Sequence, residues 1–89
     1  MQLLAGKSVA MTGGGGGLGR SYGLALAKAG AAVAVADINL DTAKATTDAI
    51  VKAGGRAIAV HADVTKAAEF ERLLDRTEAG FGPLDVLLN

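Results

Sequence analysis

Thr12-Gly13-Gly14-Gly15-Gly16-Gly17-Leu18-Gly19 separates the short, largely apolar run Lys7-Ser8-Val9-Ala10-Met11-Thr12 from a stretch that begins at Leu18 and has helical periodicity. Five consecutive glycines free the backbone to take positive φ, and they remove the side chains that would keep a bulky group away from the main chain. Placed between a strand and a helix, such a turn directs the unpaired N–H groups of the helix start toward an anion. The run is therefore read as a phosphate-binding turn, with a dinucleotide as the implied ligand.

The rest of the chain repeats one alternation outward from this turn. Residues 7–12 read as a strand, and Leu18 to Ala29 as a helix with Leu18, Tyr22, Ala25, Leu26 and Ala29 on one stripe, stopped by Gly30. Ala32-Val33-Ala34-Val35-Ala36-Asp37 is an apolar run without alternation until its last residue, as expected of a parallel strand buried on both faces. A second helix is expected from Leu40 to Ala53, with Leu40, Ala43, Thr47, Ile50 and Val51 at helical spacing before Gly54-Gly55. Arg56 to Ala62 then forms a strand. Lys66 to Gly80 reads as a third helix, with Asp63 or Thr65 as N-cap and Phe70, Leu73, Leu74 and Thr77 on its inner stripe. Pro83 and the run Leu84 to Leu88 supply a fourth strand. The order βαβαβαβ with short connections forces parallel strands joined by crossovers. The expected fold is α/β, half of a doubly wound Rossmann-type sheet in strand order 3-2-1-4.

Size and composition narrow the function classes. Eighty-nine residues make one small domain at most, expected to span 1–89, and chains this short bury only about 60 to 65% of their unfolded surface. A net charge of zero and a pI near 6.5 lack the basic excess that nucleic acid or an anionic membrane would call for. There is no cysteine, so thiolate metal sites and disulfides are ruled out, and His61 alone cannot build a zinc cluster. No apolar stretch approaches the roughly 18 residues of a membrane span. Residues 1–10 lack the apolar centre of a signal peptide, so a cytoplasmic setting is expected. Aromatic residues are only 3%, and the small aliphatic residues that replace them suit close packing of helix on sheet.

Within the turn, two glycine frames fit. Gly14, Gly16 and Gly19 satisfy G-x-G-x-x-G, while Thr12 with Gly13, Gly17 and Gly19 satisfies T-G-x-x-x-G-x-G, and the residues around the run favour the second. Asp37 ends the second strand close to the separation of about 20 residues at which an acid reaches the adenosine ribose hydroxyls. Its carboxylate would repel a 2′-phosphate, and Ile38 follows it in place of a neutralising Arg or Lys, so NAD is expected over NADP. The alternative is that Asp37 only caps a loop. Asp63 and Val64 end the third strand, where a carboxylate can accept from an exocyclic amine and an apolar neighbour can border a purine ring. Asp63 is equally a candidate helix cap, and both roles can coexist. His61 reads as a packed or partly exposed strand residue rather than a catalytic one. Glu69, Glu71, Arg72, Asp75, Arg76 and Glu78 read as the solvated face of the third helix.

Taken together, Thr12 to Gly19, Asp37, Asp63-Val64 and Leu84-Asp85-Val86-Leu87-Leu88-Asn89 resemble the N-terminal third of the classical short-chain dehydrogenases/reductases, across essentially the whole chain. The resemblance implies that Gly13, Gly17 and Gly19 line the pyrophosphate, and that Leu18 contacts the phosphate or nicotinamide side. It assigns Asp37 to the adenosine ribose and Asp63 and Val64 to the adenine. Asn89 matches the first residue of the family's Asn-Asn-Ala-Gly motif, which implies a backbone position beside that ribose. The family's catalytic Ser and Tyr-x-x-x-Lys belong to a second half that these residues do not contain. Tyr22 has Leu26 four residues on and is expected to pack, so no catalytic residue is assigned and the 89 residues alone are expected to be inactive. The leading expectation is the dinucleotide-binding part of an NAD-dependent oxidoreductase acting between alcohol and ketone. The rival is a stand-alone nucleotide-binding or self-assembling module. Either way, the fourth strand would leave Val86, Leu87 and Leu88 on an open sheet edge, so self-association or added partner segments are expected.

Overall fold

The computed structural model describes residues 2–13 and 16–89, so Gly14, and with it the G-x-G-x-x-G frame, lies outside the described residues, as does Gly15. Seven elements follow in the order β1 (Ser8–Thr12), α1 (Gly17–Lys28), β2 (Ala32–Asp37), α2 (Leu40–Lys52), β3 (Arg56–His61), α3 (Ala67–Phe81) and β4 (Val86–Leu88). The strands form one parallel sheet in the order β3-β2-β1-β4. Both the fold class and the strand order agree with the sequence expectation.

Alternation along the strands decides how the two faces are covered. Val9, Met11, Val33 and Val35 point to one face, where they pack with Ala43 and Ile50 and with Leu24, Leu26 and Ala27. That face is covered by α1 and α2. Ala10, Ala34 and Ala36 point to the other face and pack with Val60, Ala62 and Leu73, so α3 lies against alanines there. Small side chains let α3 cross close to the centre of the sheet, where it meets β1, β2 and β3. The third crossover thus runs on the opposite face from the first two, which carries the chain past β1 to β4.

The helix faces differ from the expected stripes in instructive ways. In α1, Leu18, Tyr22 and Ala25 are exposed, and Gly23 is the buried residue. A Cβ on Gly23 would stand 3.1 Å from Met11 Cε and 3.2 Å from Ile50 Cδ1, so the inner stripe is built around a residue with no side chain. Hydrophobic periodicity overlooks such a stripe, because it counts only apolar side chains. In α2, Thr46 and Ile50 are buried while Val51 is 53% exposed. Asn39 caps α2, its side chain accepting from the amides of Asp41 and Thr42. In α3, Leu73 and Thr77 are buried as expected. The N-cap of α3, however, is Lys66 rather than Asp63 or Thr65, and it makes no side-chain cap bond.

Strand β4 is short and lies at the sheet edge, pairing with β1 only through Val9↔Val86, Ala10↔Leu87 and Met11↔Leu88. Asp85 lengthens this junction. Its amide donates to Ser8 O at 2.9 Å and its Oδ2 accepts from Ser8 N at 2.8 Å. Val86 and Leu87 remain 42% and 41% exposed. Among the described residues no helix is long and apolar enough to cross a membrane.

Two neighbouring residues of α2 test the observed faces. Ile50→Ala removes a fully buried side chain and should lower the unfolding free energy by about 2 to 5 kcal/mol. Val51→Ala should change it by less than about 0.5 kcal/mol in the same denaturant titration.

Candidate functional site

In a parallel sheet the carboxyl ends of all strands share one rim, and the described residues assigned to cofactor binding from the sequence lie on that rim or at the start of the helix rising from it. Thr12 and Gly13 leave β1, Asp37 and Ile38 leave β2, Asp63 and Val64 follow β3, and Asn89 follows β4. A cleft of about 500 Å³ is lined by Gly13, Asp37, Ile38, Asp63, Val64 and Asn89, together with Thr12 and Thr65. An adjoining cleft of about 200 Å³ shares Thr12, Gly13 and Asn89 and adds Leu18, Gly19, Tyr22 and Leu88. The two clefts meet at the β1–β4 boundary, where the order of strands reverses relative to the sequence, the usual ligand position in open α/β sheets.

The turn joining them is built by particular residues. Gly13 has φ +63, and a Cβ there would be strained in spite of the open space around it. Gly17 is the first residue of α1, and a Cβ on it would meet nothing within 4 Å. The first turn of α1 contains no acidic side chain, whereas α2 has Asp41 and α3 has Glu69 in theirs. Its unpaired amides and the positive end of its dipole are therefore not neutralised by the helix itself. Across the sheet boundary, Thr12 Oγ1 donates to Asn89 Oδ1 at 2.6 Å, tying the end of β1 to the residue that follows β4.

The two acids at the wide end are held by the same local device. Asp37 Oδ1 accepts from Asn39 N at 3.0 Å, and Asp63 Oδ1 accepts from Thr65 N at 3.1 Å and from Thr65 Oγ1 at 2.6 Å. Each is an Asx turn in which the carboxylate closes the loop leaving its strand, which is the loop-capping alternative for Asp37, whereas Asp63 closes a turn and does not cap α3. Donation from the Thr65 hydroxyl, then from the Thr65 amide, holds the Asp63 carboxyl below its ordinary value of 3.8. Lys66 adds to this, against a small opposing effect of desolvation. Ile38 follows Asp37 with its side chain 67% exposed, so an apolar side chain rather than a Lys or Arg comes directly after that carboxylate.

Several residues at this rim go beyond the sequence expectation. His61 Nε2 lies 2.9 Å from Ile38 O, Arg72 donates from Nη2 to His61 O, and Glu69 Oε1 accepts from Asp63 N at 2.9 Å. Two charges read as solvated helix surface are thus directed at the end of β3. The separation of Asp63 from Glu69 matches no regular capping spacing, so periodicity carried no signal for it. Tyr22, expected to pack, instead borders the smaller cleft half-exposed. A third cleft, of about 460 Å³, lies at the opposite end of the sheet against Leu24, Ala27, Lys28, Ile50 and Gly55, with neither acid nor the glycine turn.

Similar proteins were found at the level of family, relative and solved structure. The description of the short chain dehydrogenase family matches residues 7–89. An uncharacterized oxidoreductase of Methylorubrum extorquens is 45% identical over 56 residues, which are 58% of this chain and 23% of that protein. A 7α-hydroxysteroid dehydrogenase solved with NADH and 7-oxo glycochenodeoxycholic acid superposes with a TM-score of 0.93 at 40% identity, over 97% of this chain and 34% of that one. A hydroxysteroid dehydrogenase from Escherichia coli gives 0.91 at 39% identity, over 94% of this chain and 36% of that one. The chain therefore spans about a third of the length of these solved relatives, and less of the curated one. On the family match and the shared fold, the chain belongs to the short-chain dehydrogenase family.

Proposed function

We propose that these residues form the NAD-binding part, in one incomplete domain, of an oxidoreductase that transfers hydride between an alcohol and a ketone. The observation that carries this reading is the single cleft bringing Gly13, Asp37, Ile38, Asp63, Val64 and Asn89 together at the carboxyl rim of the sheet. The NADH held by one solved relative supports a nicotinamide dinucleotide as its occupant. When bound, that group supplies the hydride carrier, and this chain's residues hold it. Gly13, Gly17 and Gly19 admit the pyrophosphate to the start of α1, with Leu18 beside it on the nicotinamide side. Asp37 receives the ribose hydroxyls, and Asp63 with Val64 borders the adenine. Asn89, fixed by Thr12, closes the site from β4. No catalytic group is assigned among these residues, and the reading places the protein in the cytoplasm.

Preference for NAD over NADP follows from charge. A carboxylate at Asp37 faces the ribose, Ile38 offers no compensating cation, and a 2′-phosphate would bring like charges together. A second reading, association through the sheet edge, is favoured by exposed Val86 and Leu87 on the three-residue β4.

Calorimetry should rank NAD above NADP by about tenfold or more, and Asp37→Ala should narrow that gap. Equal affinities before substitution would contradict the role given to Asp37. Because the Asp63 carboxyl titrates below 3.8, it remains an acceptor at every higher pH. The affinity lost on Asp63→Asn should accordingly be the same at about pH 5 as at about pH 8, and a loss that vanishes at the lower pH would contradict that role. Sedimentation of the 89-residue chain should reveal concentration-dependent association, whereas a single monomer at the highest concentrations would argue against an adhesive edge.

A further inference from the structure

We propose that His61 is a positioning residue for the adenosine end of the cleft, holding the turn after β2 so that Asp37 meets the ribose hydroxyls. The inference rests on the NAD-binding reading above and adds to it a residue that does not line the cleft.

The rim needs such a group because of where the sheet stops. Asp37 and His61 are the last paired residues of β2 and β3, and Ala62 N donates to Asp37 O at 3.1 Å to close the ladder. Ile38 then turns away toward α2, and its carbonyl is met by His61 Nε2 at 2.9 Å. A carbonyl only accepts, so the facing ring nitrogen bears a proton. Ile38 lies between Asp37 and Asn39, the two ends of the Asx turn that orients the Asp37 carboxylate. Fixing the Ile38 carbonyl thus fixes the peptide unit around which that carboxylate is placed.

His61 is itself held from the other side. Its carbonyl accepts from Arg72 Nη2, which stands 3.7 Å from Glu69 Oε1, the same oxygen that accepts from Asp63 N. The chain of contacts runs from Ile38 through the His61 ring and carbonyl to Arg72, Glu69 and Asp63, joining the two acid-bearing turns to α3. Arg72 and Glu69 are 48% and 30% exposed, so their ion pair adds little to stability. Its effect is geometric, and it sets where the end of β3 stands relative to the end of β2.

The test uses the intact protein with AMP, 2′-deoxy-AMP and inorganic pyrophosphate as probes. His61→Phe keeps a ring without the donor, and His61→Gln keeps a donor without the ring. For His61→Phe, AMP affinity should fall by about fivefold and the ratio of AMP to 2′-deoxy-AMP affinity should shrink toward one, while pyrophosphate binding is unchanged. His61→Gln should retain most of the ratio. An unchanged ratio in His61→Phe overturns the inference and leaves the NAD reading standing. A uniform loss for all three probes with a lowered melting temperature, not rescued by His61→Gln, overturns it as well, because His61 would then act only through the fold. If the unsubstituted protein fails to prefer AMP over 2′-deoxy-AMP, the ribose role of Asp37 falls, and the role of His61 falls with it.

Discussion

Parallel strand direction is the constraint on which everything else here depends. When each strand is followed by a helix that returns to the start of the next, all carboxyl ends emerge on one rim, and residues far apart in sequence become neighbours without any dedicated contact. Thr12, Asp37, Asp63 and Asn89 reach one rim in this way. Placing α1 and α2 on one face and α3 on the other moves β4 to the far side of β1, which opens the boundary where the glycine turn rises. The bond from Thr12 Oγ1 to Asn89 Oδ1 then pins that boundary between residues 77 apart in sequence.

The rim is polar in its fixed parts and apolar in its walls. Carboxylates at Asp37 and Asp63 each close a turn of their own backbone, which spares them the cost of being oriented only when a ligand arrives. The α1 end carries no acid, so positive potential at the glycine turn and negative potential at the strand-end acids are separated along the cleft. A ligand with an anionic middle and a hydroxyl-rich end matches that separation.

What the sequence made legible was whatever depends on backbone requirement or strand ends. The glycine run announced a turn because glycine takes a φ such as that of Gly13 without the penalty a Cβ brings, and the run Ala32 to Ala36 announced a doubly covered strand because it lacks alternation. Strand-end acids were legible for the same reason, since β2 and β3 stop where their apolar runs stop. Less legible were features set by how elements meet. Gly23 is buried because Met11 and Ile50 approach it, so the inner stripe of α1 passes through a position that hydrophobicity scores as empty, and periodicity puts Leu18 and Tyr22 on that stripe in its place. Asn39 caps α2 through its side chain, and Lys66 begins α3 without one, so cap chemistry predicts a helix start only when the cap is used. The contacts of Glu69 and Arg72 arise from docking α3 against the end of β3, and that of the His61 ring with Ile38 from pairing β3 with β2, which no local pattern encodes.

The central claim is that the carboxyl rim, and not another surface, receives the dinucleotide. Titrating uniformly ¹⁵N-labelled protein with NAD and following the backbone amides tests it most directly. The account predicts shifts concentrated at Gly13, Gly17 to Gly19, Ile38, Asp63, Val64 and Asn89, with Leu24, Ala27 and Gly55 at the opposite end of the sheet unmoved. Shifts centred on that opposite end, or none at saturating NAD, would contradict it.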